Sequence, residues 1–384
     1  MLAWMPGNLV NNLPSAVPQF WAGQNLTLGL LARVDGITYS LMGVPLPPTN
    51  VQPASVTSAE YTSTHTFFNL TAGTAKLTLD FFSPVSPNNF LRQSLPFSYL
   101  TISVADATSS AIEVYADIDE SWTGQSGSTR SSISTLASTS VFQLSVNGAS
   151  LYTERADQAL WGNVVFASRP SNSSKLSTQS GSSGDVRSQF ATQGSLSGSV
   201  PAYASGDVIA IAQDLGNVTA DASVTFALGY VREAAINYLG NARTGFYRAT
   251  YKDPVTAVSY FLDDQAAAQT ESLSMDSDLM KRSIASAGSN YSDIITLSAR
   301  QVYGAVDVTI SNDTLDTNNV LVFVKEISSD GNVNTVDVLY PAFPAFYVMA
   351  PEYIRLSLEP IVQYLATGRW KQVGSRYHLH VYPG

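Results

Sequence analysis

From about residue 28 to 235, apolar and polar side chains alternate with a period of two, which on an extended backbone sends every second side chain to the same face. LLARVDGITYSLMG alternates on both sides of Asp35-Gly36, a dipeptide suited to a two-residue hairpin turn. SVFQLSVNGASLYTER does the same around Asn147-Gly148 and predicts a second hairpin. FSYLTISV, AIEVYADID, NVVFAS, DVIAIAQ and SVTFALGYV predict further strands, rich in β-branched and aromatic residues. Turn-forming clusters separate them. The pattern predicts a large antiparallel β-sandwich. Two Ser-rich stretches, 123–140 and 171–199, interrupt it and are expected to be flexible surface loops.

After residue 250 the period becomes helical. Asp253 supplies an N-cap and Pro254 a first turn, and Val255, Val258, Leu262 and Ala266 then form one apolar stripe. Leu273 to Ile284 predicts a second helix. Ser292 caps a third over 293–308. Pro351 opens PEYIRLSLEPIVQYLATGRW, a helix expected to kink at Pro360. The chain therefore divides into a β-sandwich (1–249), linker helices (250–289) and a helical-hairpin domain (290–384). From about 371, KQVGSRYHLHVYPG carries neither period, which suggests an interrupted helical domain.

Composition narrows the function classes. Charged residues make up 13% of the 384, about half the usual share, and Ser and Thr supply the missing polarity. The net charge of -10 argues against nucleic acid and anionic membranes as partners. No apolar run is long enough to span a membrane. The N-terminus lacks the basic-then-apolar pattern of a signal peptide. With no cysteine and three histidines (His65, His378 and His380), thiol chemistry, a His-based metal site and a Ser/His/Asp triad are poorly supplied. No phosphate-binding glycine motif indicates a nucleotide, so no cofactor or metal is expected. Six N-x-S/T sequons, at Asn25, Asn69, Asn172, Asn217, Asn290 and Asn312, slightly exceed chance and hint at glycosylation and secretion.

Long ungapped words carry a resemblance. FWAGQ (20–24), RVDGITYSLMG (33–43), RQSLPFSYL (92–100), VYADIDESW (114–122), ADQALWG (156–162) and VFVKEISSDGNVNTVDVLYP (322–341) are similar, in order, to the secreted fungal-type glutaminase A family. The resemblance spans residues 15 to 370. It implies an extracellular protein with an N-terminal β-sandwich and a C-terminal α/α toroid of helical hairpins. It also implies an activity on L-glutamine, releasing ammonia and glutamate. Relative to that family the chain starts almost inside the FWAGQ region and stops early. The toroid is therefore expected to be incomplete and any activity needing its later helices to be lost.

The densest chemistry lies in VKEISSDGNVNTVDVLY (324–340). Taken as a hairpin with a two-residue turn at Asp330-Gly331, it sets Glu326 opposite Thr335 and Val324 opposite Asp337. Glu326 and Asp337 then share a sheet face as diagonal neighbours, roughly 7–8 Å apart. That spacing suits an acid–base pair in an amidohydrolase or an inverting glycosidase. Lys325, Asn332 and Asn334 fall on the opposite face as candidate substrate-binding groups, and the odd spacing of Lys325 and Ser328 argues against a Ser–Lys nucleophile. The plain reading is a polar surface hairpin. Arg300, set in an apolar helix, is expected to pair with Glu326 or Asp337 or to clamp a substrate carboxylate. Asp117, Asp119 and Glu120 read as surface carboxylates, His65 as solvated, and Trp21, Trp122 and Trp161 as core in preference to a sugar groove. Two rivals to the glutaminase reading stay open: a carbohydrate-active protein and a non-catalytic fragment. The partner in the first two cases is a small molecule, glutamine or a sugar, and the oligomeric state is open.

Overall fold

The computed structural model describes residues 10–369, apart from 21–22, 46, 107–109, 125–128, 156–157, 172–173, 220 and 327–330. The first strands are β1 (Leu28–Val34), β2 (Ile37–Met42), β3 (Val51–Pro53), β4 (Ser55–Tyr61), β5 (His65–Ala72) and β6 (Ala75–Phe82). Next come β7 (Phe97–Asp106), β8 (Ser110–Asp119), β9 (Thr129–Leu136), β10 (Thr139–Val146), the two-residue β11 (Glu154–Arg155) and β12 (Gln158–Ala159), and β13 (Asn163–Ser168). They end with β14 (Lys175–Ser182), β15 (Asp207–Val218) and β16 (Ala222–Val231). Two sheets result, ordered β14-β15-β8-β1-β2-β3 and β4-β5-β6-β7-β16-β13-β10-β9. All neighbours are antiparallel except β2 and β3.

The β1–β2 hairpin forms as expected, with Val34 opposite Ile37 and both turn residues in the left-handed region (Asp35 φ 50°, Gly36 φ 86°). Between the sheets, Leu30, Ala32, Ile102, Val114, Ile211 and Phe226 fill a common core. The outer faces are covered as well. Helix α1 (Phe90–Ser94) lies at the sandwich end, and α2 (Ser183–Gln193) lays Val186 and Phe190 on Tyr115, Val208 and Ala210. Helix α3 (Pro254–Asp263) lays Val258 and Phe261 on Tyr99, Val165 and Ala227. Central strands are thus buried on both faces, which is why DVIAIAQ reads as a continuous apolar run.

Three expectations fail here. No hairpin forms at Asn147-Gly148: β10 pairs with β9 on one side and β13 on the other, and the chain after the turn is not its partner. The two Ser-rich stretches are not loops. The first contains β9; the second contains β14 and α2. β9 and β14 are the outermost strands of their sheets, so Ser and Thr replace the alternating apolar residues that signal an inner strand.

A separate four-stranded sheet follows, ordered β17 (Ile236–Tyr238), β18 (Asn241–Gly245), β19 (Val306–Ser311) and β20 (Leu321–Val324). Between β18 and β19 run α3, α4 (Gln265–Ala287) and α5 (Ser289–Gly304). Asp253 caps α3 by accepting from the Val255 and Thr256 amides. Helix α5 stops at Gly304, four residues short of the predicted end, because VDVTIS goes into the sheet with its β-branched residues. Helices α6 (Val336–Met349) and α7 (Glu352–Ala366) pack on the β19–β20 face through Phe346, Tyr353 and Leu356. The α7 helix continues through Pro360. Helix α6 escaped prediction: it contains Pro341 and Pro344, residues that disfavour a helix interior.

Candidate functional site

The segment richest in chemistry adopts a different register from the one its sequence predicts. Lys325 pairs with Val333, the Glu326 amide donates to the Asn332 carbonyl (2.9 Å), and the Asn334 amide donates to the Val324 carbonyl (2.8 Å). Glu326 therefore faces Asn332 and not Thr335, a shift of three positions that closes a loop longer than two residues. Most of that loop, Ser328 and Asp330 included, lies outside the described residues. At Asn334 the backbone turns left-handed (φ 52°), which asparagine tolerates, and the chain leaves the strand. Asp337 is consequently not on a sheet face beside Glu326; it is exposed in the first turn of α6, where a carboxylate complements the helix N-terminus. The diagonal carboxylate pair is absent for that reason. Nor do Asn332 and Asn334 share a face with Lys325, because the residues opposite Val324 and Glu326 point away from the Lys325–Val333 side.

Asn334 is fully committed to the fold. Its Oδ1 accepts from the Val324 amide (2.6 Å), and its Nδ2 donates to the carbonyls of Val322 (3.2 Å) and Ser357 (3.0 Å), tying β20 to α7. Asn332 is buried as well. Asn334→Ala is expected to lower stability by about 2–4 kcal/mol, from orphaned main-chain groups and a left-handed alanine. Thermal unfolding within about 0.5 kcal/mol of the parent would remove the staple role.

Arg300 is buried but grips the sandwich where a carboxylate of the hairpin was expected. Its Nη1 donates to Thr66 Oγ1 (2.8 Å) and its Nη2 to the carbonyls of Thr62 (2.6 Å) and His65. Burial lowers its pKa, with Asp276 opposing the shift. Asp276 holds the same turn, accepting from Thr64 Oγ1 (2.8 Å), the Ser63 amide (3.2 Å) and Ser63 Oγ. His65 is not solvated: it is buried, its Nδ1 meets Asp80 at 2.8 Å, and its ring stacks on Phe67 and Phe82. The pairing with Asp80 compensates the burial of a polar ring.

Two of the three DIDE carboxylates are not surface groups either; Asp119 is half-buried. Asp117 is wholly buried under α2, bound by Arg187 Nε (2.6 Å) and Nη2 (2.9 Å), the Tyr115 hydroxyl (2.6 Å) and the Gly29 amide (3.1 Å). Glycine is required at position 29, since a Cβ there would lie 2.7 Å from Asp117 Oδ1. Glu120 is buried and accepts from Ser205 Oγ (2.6 Å). Trp122 and Trp161 donate their indole N–H groups to the Thr27 and Ala234 carbonyls and pack inward; Trp21, His378 and His380 lie outside the described residues. Of the sequons, Asn25, Asn217 and Asn290 are exposed and Asn172 lies outside the described residues. Asn69 sits in mid-strand with Nδ2 donating to Ser58 Oγ (2.8 Å), and Asn312 Oδ1 accepts from Arg248 Nη1 (2.8 Å).

The charges converge at the junction of the sandwich and the four-stranded sheet. Lys325 Nζ donates to Asp307 Oδ1 (3.3 Å), and Arg232 Nη2 to Asp307 Oδ2 (2.9 Å). The Arg232 guanidinium lies 5.5 Å over the Trp161 ring, a cation–π distance. Burial would raise the Asp307 pKa, but the two cations reverse this and hold the carboxylate below its ordinary value. Burial lowers the Lys325 pKa, and Arg232 adds to that against the pull of Asp307. Arg232 gives Asp307 a second counter-charge besides Lys325. Lys325 retains 29% of its side-chain surface, so it is reachable. Asp307 and Arg232 escaped the sequence reading because they lie 75 residues apart and meet only through pairing of strands distant in the chain. A charge amid β-branched residues (VDVTIS) is the one sequence signal that marks Asp307.

Beside this cluster a cleft of about 390 Å³ opens, lined by Trp161, Asn163, Val231, Glu233, Arg248 and Asn312 among others. A second hollow, about 440 Å³, lies between residues 316–321 and α7. Its polar groups are engaged locally, Arg355 with Glu352 (2.9 Å) and Gln363 with Glu359 (2.8 Å). Among the described residues, no helix is long and apolar enough to cross a membrane.

A β-sandwich leading into a sheet backed by helical hairpins, with charged groups gathered at the junction, defines the class. Residues 64–282 match the family described as a domain of unknown function (DUF5127), and residues 288–383 match the glutaminase A six helical-hairpin domain. Glutaminase A of Aspergillus oryzae is 34% identical over 383 residues, covering 94% of this chain and 53% of that protein. A protein named probable glutaminase from Arthroderma benhamiae is 28% identical, covering 95% of this chain and 46% of its own. The chain belongs to the fungal glutaminase A family. It spans about half the length of these curated relatives. A heparan sulfate lyase mutant from Pedobacter heparinus superposes with a TM-score of 0.26 and 6% identity over 47% of this chain and 22% of that chain, too little to carry any argument.

Proposed function

We propose that this chain is the sandwich and first helical hairpins of an extracellular glutaminase that hydrolyses L-glutamine to glutamate and ammonia. The observation that carries the reading is 34% identity to a glutaminase A along 94% of the chain. In the reaction water adds to the carboxamide carbon, the C–N bond breaks, and the nitrogen takes a proton and leaves as ammonia. Such a step needs a positioned group that can give or take a proton. Lys325, its pKa lowered by burial and its Nζ oriented by Asp307, suits that role better than Asp337, exposed on α6. Exposed sequons at Asn25, Asn217 and Asn290 are compatible with a secreted glycoprotein. Trp161 has Arg232 over its ring and Trp122 packs against the sandwich core, so the two indoles lend the carbohydrate reading little support.

The test is ammonia release from L-glutamine by the purified 384-residue chain, with equimolar glutamate measured alongside. Glutamine-dependent turnover is expected in spite of an incomplete toroid, because Lys325, Asp307 and Arg232 all lie within this chain; a folded chain that releases no ammonia sinks the reading.

A further inference from the structure

We propose that Asn147 is a self-modification site, where the main-chain amide of Gly148 displaces the side-chain nitrogen of Asn147 as ammonia and leaves aspartate or isoaspartate in its place. Asn147-Gly148 is the only Asn-Gly pair in the sequence. Glycine sets no side chain beside the attacking amide. The structure leaves the pair unguarded. Both residues are exposed, and β10 ends at Val146 without the chain turning back to pair with it. Among the described residues, neither the Asn147 carboxamide nor the Gly148 amide makes a hydrogen bond. A Cβ built at Gly148 would meet no atom within 4 Å, so the space around that amide is open. The attack needs the carboxamide to swing over the following amide, a motion available to a turn outside the sheet ladder.

The step uses water alone as co-reactant. The Gly148 amide gives its proton to hydroxide and its nitrogen bonds to Asn147 Cγ. The bond from Cγ to the carboxamide nitrogen breaks, and that nitrogen takes a proton and leaves as ammonia. The five-membered imide that remains is opened by water. Attack at Cγ restores the main chain and gives aspartate; attack at the main-chain carbonyl gives isoaspartate. The Asp35-Gly36 turn is a built-in contrast, since Asp35 could close the same ring by losing water. Asp35 ends a paired hairpin, its Oδ1 accepts from the Ala111 amide (2.9 Å), and its own amide donates to the Ala111 carbonyl (2.9 Å). A side chain held there is not free to rotate onto the Gly36 amide. At Asn147 either product adds a negative charge to a chain already at -10. The change falls just before Leu151, which lines the junction cleft, and Tyr152, whose ring meets Trp161 edge-on at 5.6 Å.

The modification needs no glutamine, so its test stands apart from the glutaminase reading. The purified 384-residue chain is incubated in mildly alkaline buffer without glutamine and sampled over several days. Each sample is digested and mapped by mass spectrometry, with fragmentation that tells isoaspartate from aspartate. The peptide carrying residue 147 is expected to shift from the amide to the acid mass ahead of every other asparagine peptide. The product is expected to be a mixture of isoaspartate and aspartate, with position 35 unchanged. N147Q adds a methylene that disfavours ring closure at an exposed position. It is expected to lose the conversion there and to unfold at the parent's midpoint. Retention of the Asn147 amide in the folded chain overturns the proposal, because the turn then protects the pair. Aspartate without isoaspartate overturns the imide route. Isoaspartate appearing equally fast at position 35 overturns the claim that the fold selects Asn147.

Discussion

Asp117→Ala is expected to destabilise the sandwich by about 3–5 kcal/mol, the range seen when one partner of a buried ion pair is removed. Asp117 is the shared acceptor for the Nε and Nη2 of Arg187, the Tyr115 hydroxyl and the Gly29 amide. Its loss strands four buried donor atoms at once. Burial opposes the Arg187 charge, and Asp117 more than restores it, leaving the guanidinium pKa raised. Without Asp117 only the penalty remains. The neighbouring apolar layer of Tyr115, Val186 and Phe190 limits how far water can enter to relieve it. Chemical denaturation followed by β-sheet circular dichroism measures the change. Because paired removal of both charges is often nearly neutral, Asp117→Leu combined with Arg187→Met is expected to recover most of the loss. A single substitution within about 1 kcal/mol of the parent would show that Arg187 swings out to solvent.

Asp307→Ala is expected to remove about 2–4 kcal/mol, less than for Asp117 because Asp307 keeps 24% of its side-chain surface. Arg232 and Lys325 would be left facing each other with no shared counter-charge. The pH dependence has a definite sign. Asp307 is held below its ordinary value in the fold, so its contribution is complete above the unfolded value of about 3.9 and is lost as pH falls through the lowered folded value. Lys325 is also lowered. The unfolded chain therefore holds more protons than the native one between Lys325's folded value and about 10.4, and stability rises with pH across that window. Removing Asp307 lowers Lys325 further and widens the window. Denaturation midpoints between pH 7 and 10 should climb more steeply in the variant; parallel curves would show that Lys325 does not sense Asp307.

What the sequence disclosed follows from what was local. The β1–β2 turn and the Asp253 cap are written in neighbouring residues, and both form. The central strands announce themselves through β-branched runs. The outer strands β9 and β14 do not, because an edge strand can be built from Ser and Thr. The helix α6 was hidden by its prolines and by a hairpin reading that carried an alternating pattern three residues too far. The candidate chemistry was the least legible part. Lys325 was singled out, but its partners sit on β19 and at the end of β16, and only the fold brings them together. Asp117 looked exposed because nothing near it in sequence tells that α2 will cover it.

Arg300 spends Nη2 on two main-chain carbonyls, those of Thr62 and His65. Every residue has a carbonyl, so substitutions at Thr62 or His65 can alter the turn without withdrawing the acceptors that Arg300 uses there. The seam is thus tolerant of substitution at those two acceptors, while Thr66, Ser63 and Thr64 hold Arg300 and Asp276 through their own hydroxyls and tolerate less.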